Sequence, residues 1–470
     1  MPTGEFTENT ELKAEKTPVS EKFLERVALV SKETGWDDAT VKKSMRAARE
    51  KGLSNAKYVQ HYAWDLSEDQ IEQLVAEEGK SRIRRSEKNS FLINTVVQKS
   101  GLSRDDAESK MADAKELGIS YLKYVENECW KMDEDQLNQL AAWSKNKKDT
   151  VSVKKREYLD AIMARTGWSR GVADLEIQKA KNLTGASYED YYAFKFDELT
   201  PELQKEYATI DTFKKLRVKY NNYGVSHECF DNKAKFNALF SDQIHHKWFV
   251  NTDLTYESFL ENMVGLTNIL VKPLASTQGL GIQKYECNQS KHENKKLYKF
   301  LVSQEPLIIE EYIKQSDEVA KFCPTSVNTL RITTLNFNGE CKFLYSVFRM
   351  GRGDVVDNFH AGGIAAAVDL KTGIVCTDAT DLDGNFFSVH PYSGLKIKGF
   401  QIPHWDIILD TCRKMFDRVD GTGLIGWDFA ITPDGVDLIE GNPGASYVVA
   451  QLPFVAEKKG LKKEMIDPYI

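Results

Sequence analysis

Apolar and polar positions fall into two regimes along this chain. From residue 21 to about 207 the pattern is helical, and it is written three times. The copies begin GWDDATVKKSMRAAREKG at Gly35, GLSRDDAESKMADAKELG at Gly101 and GWSRGVADLEIQKAKNLTG at Gly167. The three glycines are 66 residues apart, as are Tyr58 and Tyr124, and Trp64 and Trp130. The third copy gains one residue near Thr184, which places Tyr191 after it. In each copy an apolar stretch such as FLERVALVSKETG closes on a glycine C-cap. Asp37, Ser103 or Ser169 then caps a second helix, a serine after Gly52 or Gly118 opens a third, and Ser67 or Asp133 starts a fourth. The units fall at about 21–85, 86–150 and 151–207. Repeats of this kind bury one face against a neighbour, and either scaffold an adjacent domain or bind a partner. The charged segments Lys80–Lys88 and Lys145–Lys155 read as solvated linkers between units. Residues 1–20 read as a disordered polar tail.

From 208 to 470 strands alternate with helices. Asn268–Pro273 (NILVKP) is a strand ending in Lys272. It runs into a small-residue loop, Leu274–Ile282, with Ser276, Thr277, Gly279 and Gly281. Glycines there let backbone N–H groups approach phosphate oxygens, and the hydroxyls add donors; a plain hairpin turn would read the same way. Pro306–Ile313 (PLIIEEYI) is an apolar strand ending in Glu310 and Glu311. Its exposed edge suits an adenine with an acid reaching the ribose, or the two acids simply mark the end of a core strand. Val327–Phe337 and Cys341–Met350 form an antiparallel pair carrying Arg331 and Arg349. An arginine inside a strand is costly to bury without an anion, so it pairs with phosphate or an acid. Asp357–Ala367 is a loop with Asn358, His360, Gly362 and Gly363. The glycines suggest close backbone approach to a ligand, and His360 is either an acid/base or a structural histidine.

Leu424–Ser446 alternates as two short strands joined by Pro433-Asp434-Gly435. Trp427, Phe429 and Ile431 share one face, which leaves Asp428 on the other. Glu440 and Asn442 are two apart, hence on one face. Two carboxylates and a carboxamide at one end of a hairpin suit Mg²⁺. An ordinary hairpin with solvent-facing acids is the alternative.

Composition narrows the setting. The chain has 470 residues, 41% hydrophobic, with net charge −7, which argues against nucleic acid as a partner. No apolar run approaches a membrane span and no secretory leader is visible. Seven scattered cysteines without a CxxC pair fit reduced thiols, hence a cytoplasmic protein.

Taken in order, Lys233, VKPLASTQGLGI, LIIEEYI, NTLRITT, FRMG with NFHAGGIAAAVD, and GWDFAITPDGVDLIEGN resemble the ATP-grasp superfamily. More narrowly they resemble its sugar-transfer-associated family, over about 210–460. The resemblance implies an ATP-grasp fold, two α+β subdomains clamping ATP, preceded here by an all-α three-repeat region. It implies that Lys233 and Lys272 contact the phosphates and that Ser276–Gly281 closes over them. Glu310, Glu311 and Ile313 would line base and ribose, Arg331 would stabilise phosphoryl charge, and Asp428, Glu440 and Asn442 would hold two Mg²⁺ ions. Arg349 and His360 are further catalytic candidates, with Arg352, Asn358, Gly362 and Gly363 on the substrate side. The implied activity is an ADP-forming carboxylate–amine ligase acting through an acyl phosphate on an amino acid, a peptide or a sugar-linked acid. The repeats would then deliver a peptide or protein. A small-molecule kinase of the same fold and a binding module that has lost catalysis are the alternatives.

Overall fold

The computed structural model describes residues 21–221, 228–274, 282–287, 290–353, 359 and 362–470, apart from the side chains of 126 and 143–152. The expected tail, the loop residues Ser276, Thr277, Gly279 and Gly281, and Asn358 and His360 lie outside the described residues. The first copy is built from α1 (Glu21–Thr34), α2 (Asp38–Glu50) and α3 (Asn55–Gln60), and it ends in α4 (Glu68–Ser100). The second comprises α5 (Arg104–Glu116) and α6 (Tyr121–Glu126), and it ends in α7 (Glu134–Thr166). The third comprises α8 (Arg170–Thr184), α9 (Tyr188–Ala193) and α10 (Pro201–Gln204), and α11 (Ile210–Tyr220) follows it. Asp37, Ser103 and Ser169 cap α2, α5 and α8 through backbone N–H groups of the first turn. Ser67 with Gln70 and Asp133 with Gln136 form reciprocal capping boxes on α4 and α7. In each copy a residue in the left-handed region, Tyr62, Glu128 or Lys195, turns the chain into a short 3₁₀ segment.

One expectation is corrected. The charged segments Lys80–Lys88 and Lys145–Lys155 are not linkers but the middles of α4 and α7, each 33 residues long. Neither helix contains a proline, and Gly79, the one glycine within them, costs only about 1 kcal/mol in a helix interior, so propagation from the capping box runs on to Gly101 or Gly167. Each long helix is therefore the last helix of one copy and the first of the next. Its charges tie units together: Arg84 donates to the carbonyls of Lys181 and Asn182, both at 2.8 Å, and pairs with Asp211.

The first copy encloses its own core, Val27, Met45, Tyr58 and Leu74 among others, closed by Leu175 of α8. The second does the same around Met111, Ile119 and Tyr124, closed by Val218 of α11. The third has no core of its own. Its Tyr191, Phe194, Phe196 and Tyr207 pack in one cluster with Leu335, Val347, Tyr447 and Ile466.

Two antiparallel sheets follow. The smaller contains β1 (Trp248–Val250), β2 (Asn268–Pro273), β3 (Gln283–Glu286) and β4 (Leu307–Glu311), in the order β1-β4-β2-β3. The larger contains β5 (Thr329–Phe337), β6 (Glu340–Met350), β7 (Ile364–Ala367), β8 (Ala379–Thr380), β9 (Phe386–Phe387), β10 (Leu424–Thr432) and β11 (Gly435–Asn442), in the order β11-β10-β5-β6-β7-β8-β9. One face of the large sheet buries Ile332, Phe348, Trp427, Phe429 and Ile431, each such side chain contributing roughly 2–3 kcal/mol. The other face packs on the third copy.

Candidate active site

The acid-bearing face is fixed by register. Asp428 of β10 lies opposite Arg331 of β5 and opposite Glu440 of β11, while Arg349 of β6 pairs with Thr329. Alternation then puts Asp428, Arg331, Arg349, Glu440 and Asn442 on one face of four adjacent strands. Glycines make the crowding possible. A Cβ on Gly441 would stand 2.8 Å from both Phe230 and Phe236, so only glycine fits between Glu440 and Asn442. A Cβ on Gly426 would stand 3.1 Å from Arg331 Cδ, so its absence lets that side chain lie across the sheet.

Arg331 binds Asp428 in a two-pronged ion pair, one contact through Nε and the other, from Nη2, at 2.6 Å. Its Nη2 is also 3.8 Å from Glu440 Oε1. Arg349 reaches the second oxygen of Asp428 at 2.8 Å and is aimed by Thr329, whose hydroxyl accepts from it at 2.7 Å. Burial opposes the Asp428 charge, yet the two guanidinium groups outweigh it and hold the carboxyl at about 2. Glu440 moves the other way: burial, together with the adjacent Asp428 charge, pushes its carboxyl up. Asn442 Oδ1 accepts the Gly444 N–H at 2.8 Å.

A second cluster stands on the small sheet. Lys272 and Ile308 pair across β2 and β4, as do Leu270 and Glu310, so Lys272 and Glu310 share a face and form an ion pair. Asn237 Nδ2 donates to Glu310 at 3.3 Å. Burial works against the Glu310 charge, but Lys272 and His246 hold its carboxyl well below the usual range. His246 in turn lies 3.1 Å from Asp437 of β11. Burial opposes its charge too, but bonds to Asp437 and Glu310 raise it to about 9. Asp437–His246–Glu310–Lys272 is therefore a buried charged chain joining the sheets. Lys233 opens α13 (Lys233–Leu239), which follows α12 (Glu228–Asp231), and its N–H donates to the carbonyl of Leu274 just beyond β2. Burial lowers the Lys233 ammonium, while Glu440 and Glu310 pull it up and Lys272 pushes it down, so Lys233 feels both clusters.

Other expected residues lie elsewhere. The Glu311 carboxylate accepts the Lys247 N–H at 3.0 Å, on the face opposite Glu310. Ile313 falls beyond the end of β4. Arg352 bonds the carbonyl of Gly362 and contacts Asp381 at 3.4 Å, so it braces its own loop, and Gly363 is buried beside it. Sequence reasoning missed His246 and Asp437, although the alternation of GVDLIEGN places an acid two positions before apolar Ile439 in a buried strand. It also missed a cavity of about 370 Å³ on the acid-bearing face, which runs from Arg331, Arg349 and Glu440 to Lys214 and Arg217 of α11.

Residues 213–467 match the family described as sugar-transfer associated ATP-grasp. The chain belongs to that family. Its two sheets are accordingly the two subdomains of an ATP-grasp fold, with the Lys272 cluster on one and the Asp428 cluster on the other. Among solved structures, D-alanyl-alanine synthetase A from Vibrio cholerae aligns at 13% identity, covering 50% of this chain and 61% of that one, with a TM-score of 0.32. The L-amino acid ligase from Bacillus licheniformis aligns at 12% identity, over 50% of this chain and 48% of that one, with a TM-score of 0.30. The chain thus spans less than two thirds of either relative. Among curated proteins no match is found. No helix among the described residues is long and apolar enough to cross a membrane.

The residues fit a divalent cation of the kind this fold uses with nucleotide. Among the described residues no three His, Cys, Asp or Glu side chains form a complete cage. Two carboxylates and an amide oxygen are an incomplete, all-oxygen set, which suits an ion that keeps water and phosphate oxygens in its shell. Asp428 and Glu440 stand opposite each other on adjacent strands, and a cation between the two would favour both in ionised form.

Proposed function

We propose that the chain is an ADP-forming ligase that joins a carboxylate to an amine. The observation that carries this reading is the convergence of Asp428, Glu440, Arg331 and Arg349 on one sheet face, at the mouth of a cavity and within the electrostatic reach of Lys233. ATP would lie between the sheets with Lys233 and Lys272 on its phosphates and Glu310 toward the nucleoside. Asp428, Glu440 and Asn442 would hold two Mg²⁺ ions, which neutralise phosphate charge. A carboxylate oxygen of the substrate attacks the γ-phosphorus and the bond to the β-phosphate oxygen breaks, giving an acyl phosphate and ADP. The amine lone pair then attacks the acyl carbon, phosphate leaves, and the amine gives up a proton.

Arg331 and Arg349 supply the fixed cations that such a transfer needs, and aligned charge is most of what phosphoryl transfer asks of a protein. Their charges stand preorganised on Asp428, so little reorganisation is required when anionic oxygens arrive. The first two repeats would present a peptide or protein substrate, and the seven free thiols support a cytoplasmic setting.

Release of ADP from Mg-ATP tests the reading. A ligase releases ADP only with acid and amine together, whereas release with one acceptor alone means a kinase. Lys272→Ala and Glu440→Ala should each reduce turnover by about a hundredfold or more, the scale for lost charge stabilisation; the melting temperature should hold for Glu440→Ala and drop for Lys272→Ala, which leaves buried Glu310 without its cation. Turnover at the wild-type rate in both variants refutes the site.

A further inference from the structure

A groove of about 640 Å³ runs between the middle of α4 and the start of α11, and no residue of either sheet lines it. Lys80, Ile83, Arg84, Glu87, Lys88 and Phe91 recur three and four residues apart on α4, so they follow one face for about 16 Å. Asp211 and Lys215, one turn apart on α11, form the other wall, joined by Asn182 of α8. The walls are tied to each other. Asp211 pairs with Arg84 at 3.0 Å and with Lys88 at 2.5 Å, and Asn182 Nδ2 donates to the Glu77 carbonyl at 2.7 Å.

Charge and exposure define what fits there. The lining holds four cations, Lys80, Arg84, Lys88 and Lys215, against two acids, Glu87 and Asp211. Arg82 and Arg85, exposed on the same turns of α4, add two cations, and Glu77, which holds Lys80 at 2.7 Å, adds one acid. Among the described residues six cations thus meet three acids, a surplus of three on a chain of net charge −7. Asp211 alone is shared by three of the cations, the third being Lys215 at 3.9 Å. Two large apolar side chains stand among these charges: Ile83 is 64% exposed and Phe91 37%. A nucleic acid carries a charge on every residue and would set phosphates against Glu87 and Asp211, whereas a polypeptide places carboxylates only where the cations are. Spacing agrees with an extended polypeptide. Ile83 and Phe91 are eight residues apart, about 12 Å along the helix, and side chains four apart on an extended segment share a face over about 13 Å.

We propose that the groove between α4 and α11 docks an acidic, extended segment of a polypeptide partner. Two apolar side chains four residues apart seat against Ile83 and Phe91, and carboxylates between them face Arg84, Lys88 and Lys215. The helical region then recognises its partner by charge and apolar spacing, at a place separate from the acid-bearing face. The docking deepens the reading that the repeats present a peptide or protein, and rests on it only in taking the docked segment for part of a substrate.

Selection of a random phage-displayed peptide library on the full chain, followed by fluorescence titration of the enriched peptides, tests this. The enriched sequences should carry an excess of acids and a pair of apolar residues four apart, and their binding should weaken several-fold between about 50 and about 300 mM salt. The double variant Ile83→Glu, Phe91→Ser should bind them about tenfold more weakly or worse while its melting temperature holds. Ile83→Glu alone, at the more exposed position, should give part of that loss. No enrichment, enrichment without acids, or affinity unchanged in the double variant each overturn the proposal. A dimer in sedimentation that the double variant abolishes assigns the groove to a second copy instead, and oligothymidylate binding that the same variant abolishes assigns it to nucleic acid; either result also overturns it. Neither selection nor titration uses ATP, so a failed groove leaves the ligase reading standing, and failure to release ADP with acid and amine together leaves the groove.

Discussion

The second and third repeats are built from the same sequence pattern and do different work. Both cap their helices with serine at matching positions, and both turn through a left-handed residue, Glu128 or Lys195. They diverge in one turn. Where the first two copies carry Lys57 and Lys123, the third carries Asp190. That carboxylate is fully buried and accepts from the Ser187 and Ile210 N–H groups at 2.7 and 3.1 Å and from the Tyr447 hydroxyl at 2.6 Å. Four donors satisfy it, the Ser187 hydroxyl at 3.0 Å included, and the Tyr447 hydroxyl comes from the loop beside the candidate active site. A lysine in that turn faces water or an acid, as Lys57 faces Glu78 at 3.1 Å; an aspartate there ties the unit to the catalytic sheet. The unit that carries this buried acid is the one that shares its core with the large sheet.

Restoring the residue of the first two copies breaks this difference most severely. Asp190→Lys places a cation where four donors converge, which should cost about 5 kcal/mol and is read as a lowered denaturant midpoint for the half that carries the large sheet. A midpoint within error of wild type means the seam does not depend on Asp190. Next come the matched tyrosines. Tyr191→Ala and Tyr124→Ala each empty a buried aromatic site and should each cost about 4 kcal/mol. The loss differs in place: hydrogen exchange should accelerate in β5 and β10 only for Tyr191→Ala. Equal acceleration in both variants erases the distinction between the repeats.

How far this was legible depends on the kind of signal. The 66-residue spacing and the caps are written in residue types, so the repeats could be read directly. The hairpin at Asp428 is equally plain, because alternation alone separates it from Trp427 and Phe429. The strand arginines were open to phosphate or acid partners, and Asp428 takes both. What was not legible depends on long-range placement. Charge-rich Lys80–Lys88 follows Gly79 and has the composition of a solvated loop, and only the lack of a proline marks it as the middle of α4. Lys214 and Arg217 look like the polar face of an ordinary helix until the large sheet is laid against it. His246 and Asp437 are 191 residues apart in sequence, and nothing local pairs them.

Acid sharpens the comparison further, because the two seams of the third repeat titrate in opposite directions. Toward the first copy, Asp174 and Asp211 are buried, yet His61 and Lys155 on the one and Lys88 and Arg84 on the other hold them below 3.8. Their folded values are depressed, so their contribution is present above 3.8 and is lost as pH falls through the folded values. Toward the catalytic half, burial raises Asp190 to about 6 despite its donors. Its folded value lies above 3.8, so its contribution is full below 3.8 and is lost as pH rises through about 6. The difference of roughly two units corresponds to about 3 kcal/mol. Stability measured against Asp190→Asn should fall by that amount between those two pH values, while the first copy loosens from α8 as pH drops. A difference curve that is flat across the window contradicts the assignment.

The smallest change tests the seam at the bond from Tyr447 to Asp190, beside the candidate active site. Tyr447→Phe keeps the ring against Phe213 and removes only the hydroxyl that donates to Asp190. The Ser187 N–H and hydroxyl and the Ile210 N–H remain, so the carboxylate still has three donors and the loss should be about 1–2 kcal/mol. Losing a donor to the charged form also favours the proton, so the Asp190 value should move above about 6. The fall in stability with rising pH therefore shifts to higher pH in this variant, whereas a purely steric loss would lower the curve without moving it. Because Tyr447 lines the cavity, KM for the acid should rise a few-fold while KM for ATP holds. A pH midpoint unchanged from wild type would mean that the third repeat is seated by its apolar core alone, and that the tyrosine–aspartate bond merely accompanies the docking.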